Sequence, residues 1–287
     1  THPGDQVLVQ MPAYHPFPQV IPHNGRHLVP NLLLEQPDGS WEIDWADFEK
    51  KAADTRTTMF LLCSPHNPTG KCFTRDELLR MAAICEQHHV FVVSDEIHSD
   101  IVYKGNVHVP FGSISEWAAE HCVVCVNPSK TFNIAGFRTG AAIIPNRNNH
   151  DLFYNEMANL KAFGRNIFGT LAVQTAYDEC EYYADQLMEY LQGNLDYTHR
   201  FLRERIPQLK LGPIQATYLL WLDCRALGMD HLTLMDFFLK TAKVAMNDGY
   251  TFGQGGDGFM RLNIACPRAQ LQEALSRMER AVKGLAK

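Results

Sequence analysis

Five short apolar, β-rich runs at residues 7–10, 58–63, 90–94, 123–126 and 141–145 constrain this chain more than any other feature. Helical patterns lie between several of them, and such alternation predicts a largely parallel sheet covered by helices. The clearest helix starts at Thr74 and runs to about residue 88. Thr74 and Glu77 form a capping box, and Leu78, Met81, Ala82 and Cys85 make one apolar stripe. This helix joins two strands as a crossover must. Asp44 caps another helix, W-A-D-F-E-K-K-A.

From about residue 148 to 204 the pattern is almost wholly helical, broken by F-G-R-N near Gly164. Beyond it, residues 218–223, 243–247 and 259–264 read as strands, and Leu271, Ala274, Leu275, Met278, Val282 and Leu285 mark a closing amphipathic helix. The expectation is a large α/β domain over 1–165, connecting helices over 166–205 and a smaller α+β domain over 206–287.

At 287 residues and 46% hydrophobic content the chain can bury a large core. A net charge of -6 without a run of lysines or arginines argues against nucleic acid or anionic lipid as partners. No apolar stretch approaches the roughly 20 residues that span a bilayer, and no signal-peptide pattern is present. The eight cysteines are scattered, mostly inside apolar runs, as reduced thiols are in cytosolic proteins. Cys122 and Cys125 form the one C-x-x-C; on a strand they point to opposite faces, and no second pair completes a zinc set. The chain lacks an initial methionine and enters a strand almost at once, so it reads as beginning mid-domain.

Residues just beyond the carboxyl ends of parallel strands face a common crevice. Three polar segments occupy that place: S-P-H-N-P-T-G (64–70), S-D-E-I-H-S-D (94–100) and N-P-S-K-T-F-N-I-A-G-F-R-T-G (127–140). The first could be a plain turn, since N-P and T-G are turn dipeptides. The second places four ionisable side chains in six residues at a buried strand end, which is costly unless they are partnered or chemically employed. A solvated loop or a metal site are its other readings, the latter without a ligand cluster at a recognisable spacing. In the third, Lys130 directly follows a strand and has Arg138 eight residues on. A surface lysine is the plain alternative. A desolvated lysine beside a cation has a depressed pKa and forms a Schiff base with a carbonyl. With Asp95 available to keep a pyridinium nitrogen protonated, the combination suggests pyridoxal phosphate.

C-S-P-H-N-P-T-G-K, V-S-D-E-I-H-S-D, N-P-S-K-T-F-N-I-A-G-F-R-T-G and F-M-R-L-N-I-A-C-P-R, in that order, resemble the fold-type I pyridoxal-phosphate enzymes related to aspartate aminotransferase. Within them D-E-I-H, S-K-T-F-N and R-L-N-x-x-C-P-R look most like the cystathionine β-lyase branch, which includes carbon–sulfur lyases and the maltose-regulon modulator. The resemblance spans essentially the whole chain. It implies that Lys130 carries the cofactor and moves the substrate α-proton, that Asp95 pairs with the pyridine nitrogen, and that Asn67 meets the ring 3-oxygen. It further implies Tyr14 stacked on the ring, His98 at its edge, Ser129 and Arg138 on the phosphate, and Arg261 on the substrate α-carboxylate. Core packing for Tyr14 and a solvent face for Arg261 remain the plain alternatives.

Two departures qualify the resemblance. Asn127 stands where many relatives carry a phosphate-binding serine or threonine, and the family's glycine-containing phosphate cradle and partner-reaching N-terminal segment would precede residue 1. A chain without those parts is expected to bind the cofactor poorly. The implied activity is carbon–sulfur β-elimination from cystathionine or cysteine-type substrates, in a cytoplasmic homodimer. An aminotransferase using the same residues, and a regulator-binding protein on the same fold, are the other readings.

Overall fold

A computed structural model of the protein describes residues 1–162, 164 and 166–285. In chain order the first half contains β1 (Gln6–Met11), α1 (Pro16–His23), β2 (His27–Glu35), β3 (Trp41–Ile43), α2 (Trp45–Ala52), β4 (Thr57–Cys63), α3 (Arg75–Gln87), β5 (Phe91–Asp95), α4 (Glu116–Glu120), β6 (Cys122–Val126) and β7 (Ala141–Ile143). Helices α5 (Arg147–Asn159), α6 (Ile167–Glu179) and α7 (Glu181–Arg205) follow. The remainder is β8 (Lys210–Leu211), β9 (Leu219–Asp223), α8 (His231–Asp236), β10 (Asn247–Asp248), β11 (Phe259–Asn263) and α9 (Arg268–Gly284). The expected break at F-G-R-N falls on positions 163 and 165, outside the described residues.

Seven strands form one sheet in the order β3-β2-β1-β4-β5-β6-β7. Pairing is parallel from β2 through β6 and antiparallel at both edges. All five expected strands of the first half lie in it, and its fold is that of the fold-type I pyridoxal-phosphate enzymes. Largely buried, β1 and β4 are mostly apolar, as central parallel strands are. The stripe on α3 closes one face: Leu78, Met81, Ala82 and Cys85 are buried against Phe48, Phe60 and Phe111. Each large side chain so buried contributes roughly 1.5–3 kcal/mol. The Thr74–Glu77 capping box starts this helix, each side chain accepting the other's backbone N–H.

A second, antiparallel sheet has the order β10-β11-β9-β8. Its core joins Leu220, Leu222, Met260 and Leu262 to Leu191, Leu195 and Leu202 of α7 and Leu271, Leu275 and Met278 of α9.

Three local outcomes differ from the sequence reading. K-V-A-M-N is not a strand over 243–247: Lys243 is left-handed at φ 57°, Val244 is buried with its N–H on the Phe238 carbonyl, and only Asn247 and Asp248 pair with β11. The hairpin of β2 and β3 was hidden because Pro30 sits inside its longer strand, where a missing N–H argues against one. Three prolines likewise hid α1.

Register brings the strand ends level. Cys63, Asp95 and Cys125 form one row across β4, β5 and β6, so the segments that follow these strands leave the sheet at the same height. The ladder continues one step beyond, with Ser64 N–H on the Asp95 carbonyl and Glu96 N–H on the Cys125 carbonyl.

The charge cluster after β5 is sorted by this geometry. Glu96, 1% exposed, turns away from the crevice: Oε1 accepts from Ser94 Oγ and the Phe111 N–H, both at 2.8 Å, and Oε2 lies 2.8 Å from His108 Nε2. Asp100 accepts from Thr131 Oγ1 at 2.9 Å. Asp95 and His98 are left facing the crevice. Removing a buried carboxylate strands three donors, so Glu96→Ala is expected to cost about 3 kcal/mol in urea unfolding, and Glu96→Gln about half that. An alanine variant within about 0.5 kcal/mol of the parent would contradict this assignment.

Candidate active site

A cavity of about 260 Å³ lies where the carboxyl ends of the large sheet meet the second sheet. Its lining comes from the ends of four parallel strands: Tyr14 after β1, Cys63 and Asn67 at and after β4, Asp95 and His98 at and after β5, and Lys130 after β6. Tyr218 and Leu219 at the start of β9, and Arg261 and Asn263 of β11, close it from the other side. The structure therefore brings Tyr14, Asn67, Asp95, His98, Lys130 and Arg261 together around one space. Ser129 and Arg138 are not among its lining. Ser129 is buried in the adjoining turn, which the Asn127 side chain holds by accepting the Ser129 N–H on Oδ1 at 2.8 Å. Arg138 is exposed and left-handed, at φ 49°.

Burial raises the Asp95 pKa, opposed by the Ile97 N–H at 3.2 Å from Oδ1 and by the charge of Lys130. Its other carboxylate oxygen is bonded to no described residue. Burial lowers His98 to about 3, and Lys130 and Arg261 push the same way, so its imidazole is neutral. The Nδ1 of His98 is buried without a partner, and its ring meets Tyr218 edge-on at 6.0 Å. Half-buried Lys130 makes no hydrogen bond or ion pair with any described residue. Arg261 donates from Nη1 to Asn67 Oδ1 and from Nη2 to Asn247 Oδ1, both at 2.8 Å, while its Nε is buried and unpartnered.

Polar groups buried without partners are costly. Here the residues that carry the Lys130 amine, the second Asp95 oxygen, the buried His98 Nδ1 and the buried Arg261 Nε, none of them bonded to a described residue, all line one space. This set complements an aldehyde-bearing ring with a protonated nitrogen, together with a carboxylate, so the residues present fit pyridoxal phosphate with an amino acid. Among the described residues, no group of three or more His, Cys, Asp or Glu side chains is placed to hold a metal.

His15, Cys63, Tyr218, Leu219 and Asn263 also line the cavity and were not singled out in the sequence. His15 adjoins Tyr14, and Cys63 and Asn263 lie inside the quoted motifs, so position in the sequence was the available signal. Tyr218 reads as ordinary strand sequence, and only the docking of the two sheets brings it in.

The family model for aminotransferase class I and II matches residues 1–278. Cystathionine beta-lyase PatB of Bacillus subtilis is 43% identical over 98% of this chain and 73% of its own length. Protein MalY of Escherichia coli is 35% identical over 98% of this chain and 72% of its own. The crystal structure of cystalysin from Treponema denticola, which contains pyridoxal 5'-phosphate, superposes with a TM-score of 0.95 at 35% identity, covering 99% of this chain and 72% of that one. A match of this extent, in a fold whose strand ends converge on an unpaired lysine, makes the chain a member of the aminotransferase class I and II family of pyridoxal-phosphate enzymes.

Proposed function

We propose that the protein is a pyridoxal-phosphate-dependent carbon–sulfur β-lyase that converts cystathionine or cysteine-type amino acids to a thiol, pyruvate and ammonia. The observation that carries this reading is Lys130, an amine without a partner among the described residues, in a cavity it shares with Asp95 and Arg261, in a chain 43% identical to a cystathionine β-lyase.

In this reading Lys130 would anchor the cofactor, Asp95 would pair with the pyridine nitrogen, and Asn67 would meet the ring 3-oxygen. Tyr14 and neutral His98 would hold the ring. Ser129 and Arg138 serve the phosphate, with Asn127 supporting the Ser129 turn. When bound, pyridoxal phosphate supplies an electron sink for the pair left at the substrate α-carbon. The chain's own residues do the rest. Arg261 would bind the α-carboxylate, and Lys130 Nζ would take the proton from the α-carbon. Asp95 holds a negative charge where positive charge must persist, and the Tyr218 ring and Leu219 help exclude water. For cystathionine and water the net change breaks the Cα–H, Cβ–S and Cα–N bonds, water supplies the keto oxygen, and the products are homocysteine, pyruvate and ammonia.

The broader organisation is part of the same proposal: a cofactor-binding unit over 1–165, connecting helices over 166–205 and a small unit over 206–287. A homodimer is supported by exposed apolar side chains on α5 and α6, among them Leu152, Ile167, Phe168 and Leu171. A cytoplasmic setting is supported by eight cysteines that are all free and buried or half-buried.

The cofactor-loaded protein should release pyruvate from L-cystathionine without transferring its amino group to 2-oxoglutarate. Amino transfer without pyruvate would make it an aminotransferase instead. Asp95→Asn should lower kcat by about a hundredfold or more while Lys130 still binds the cofactor, and normal turnover in that variant would remove the carboxylate's role.

A further inference from the structure

Arg261 is held in a way that depends on a residue with no part in the chemistry above. Across the β10–β11 pair, Asn247 lies directly opposite Arg261 in register, and its Oδ1 accepts from Nη2 at 2.8 Å. Nη1 is tied to Asn67 Oδ1 at 2.8 Å, and the guanidinium lies over the Phe252 ring, 4.7 Å from its centroid. The ring fixes the plane of the guanidinium, and the two amide oxygens fix its rotation within that plane. Of its five N–H donors, two are used, and the buried Nε–H is among those left over.

Both tethers are neutral carbonyl oxygens, so they orient the cation without neutralising it. Alternation along β10 sends the adjacent carboxylate elsewhere: Asp248 Oδ2 lies 3.2 Å from His231 Nδ1, and Oδ1 accepts the Tyr250 N–H at 3.0 Å. Gly249 holds this arrangement, because a Cβ there would stand 2.2 Å from the Gly256 carbonyl oxygen and 2.4 Å from that of Phe259.

We propose that Asn247 is a positioning residue that sets the Arg261 guanidinium for the substrate α-carboxylate while leaving its charge free. This rests on the site reading above but holds equally for a lyase or an aminotransferase. The test uses the cofactor-loaded full chain, without a keto acid, and two ligands that have no leaving group on the β-carbon, followed by the cofactor absorbance: 2-methylalanine, and isopropylamine, the same amine without its carboxylate. Asn247→Asp places a carboxylate on the guanidinium, so binding of 2-methylalanine should weaken by about tenfold or more, and Asn247→Ala should weaken it about fivefold. Isopropylamine binding should change less than about twofold in either variant, and the Asn247→Ala effect should vanish in an Arg261→Lys background. Equal weakening of both ligands, or a full additional loss in the double variant, would overturn the proposal. A parent protein whose absorbance responds to neither ligand would overturn the site reading itself, and the proposal with it.

Discussion

A carboxylate at the buried end of a parallel strand sets the terms for this molecule. Asp95 keeps one oxygen on a backbone N–H, and its other oxygen is bonded to no described residue, an arrangement that burial makes costly. In the function proposed above, a protonated pyridine nitrogen would compensate it. The level row of Cys63, Asp95 and Cys125 then dictates the rest: the segments after β4 and β6 must deliver Asn67 and Lys130 to the same space.

Electrostatics inside that space divide the labour. His98 stays neutral because burial and two neighbouring cations all disfavour its protonation, so its ring adds no positive charge to the cavity. Arg261 arrives from a different sheet, which makes the docking of the two sheets part of the site. Its neutral tethers keep its charge available to an anionic substrate group.

Much of this was legible in the sequence, for identifiable reasons. The parallel strands announce themselves because burial on both faces demands apolar runs, and α3 because its cap and stripe coincide. The polar segments at three strand ends pointed to the crevice before any geometry. What stayed hidden depends on contacts between distant residues. Tyr218 enters only through sheet docking. Asn247 sat in a segment read as strand, whereas the chain first makes a left-handed step at Lys243. The split between Asp95, facing the cavity, and Glu96, bonded behind it, follows from strand alternation. Arg138 is exposed at a left-handed turn, a conformation no propensity foretells.

The central claim is that Lys130 is the residue that carries the cofactor. Reduction of the pyridoxal-phosphate-loaded protein with borohydride, followed by peptide mapping, tests it most directly. The account predicts one stable adduct, on the peptide containing Lys130, and none in Lys130→Ala. An adduct on another lysine such as Lys71, or the same adduct retained in Lys130→Ala, would contradict it.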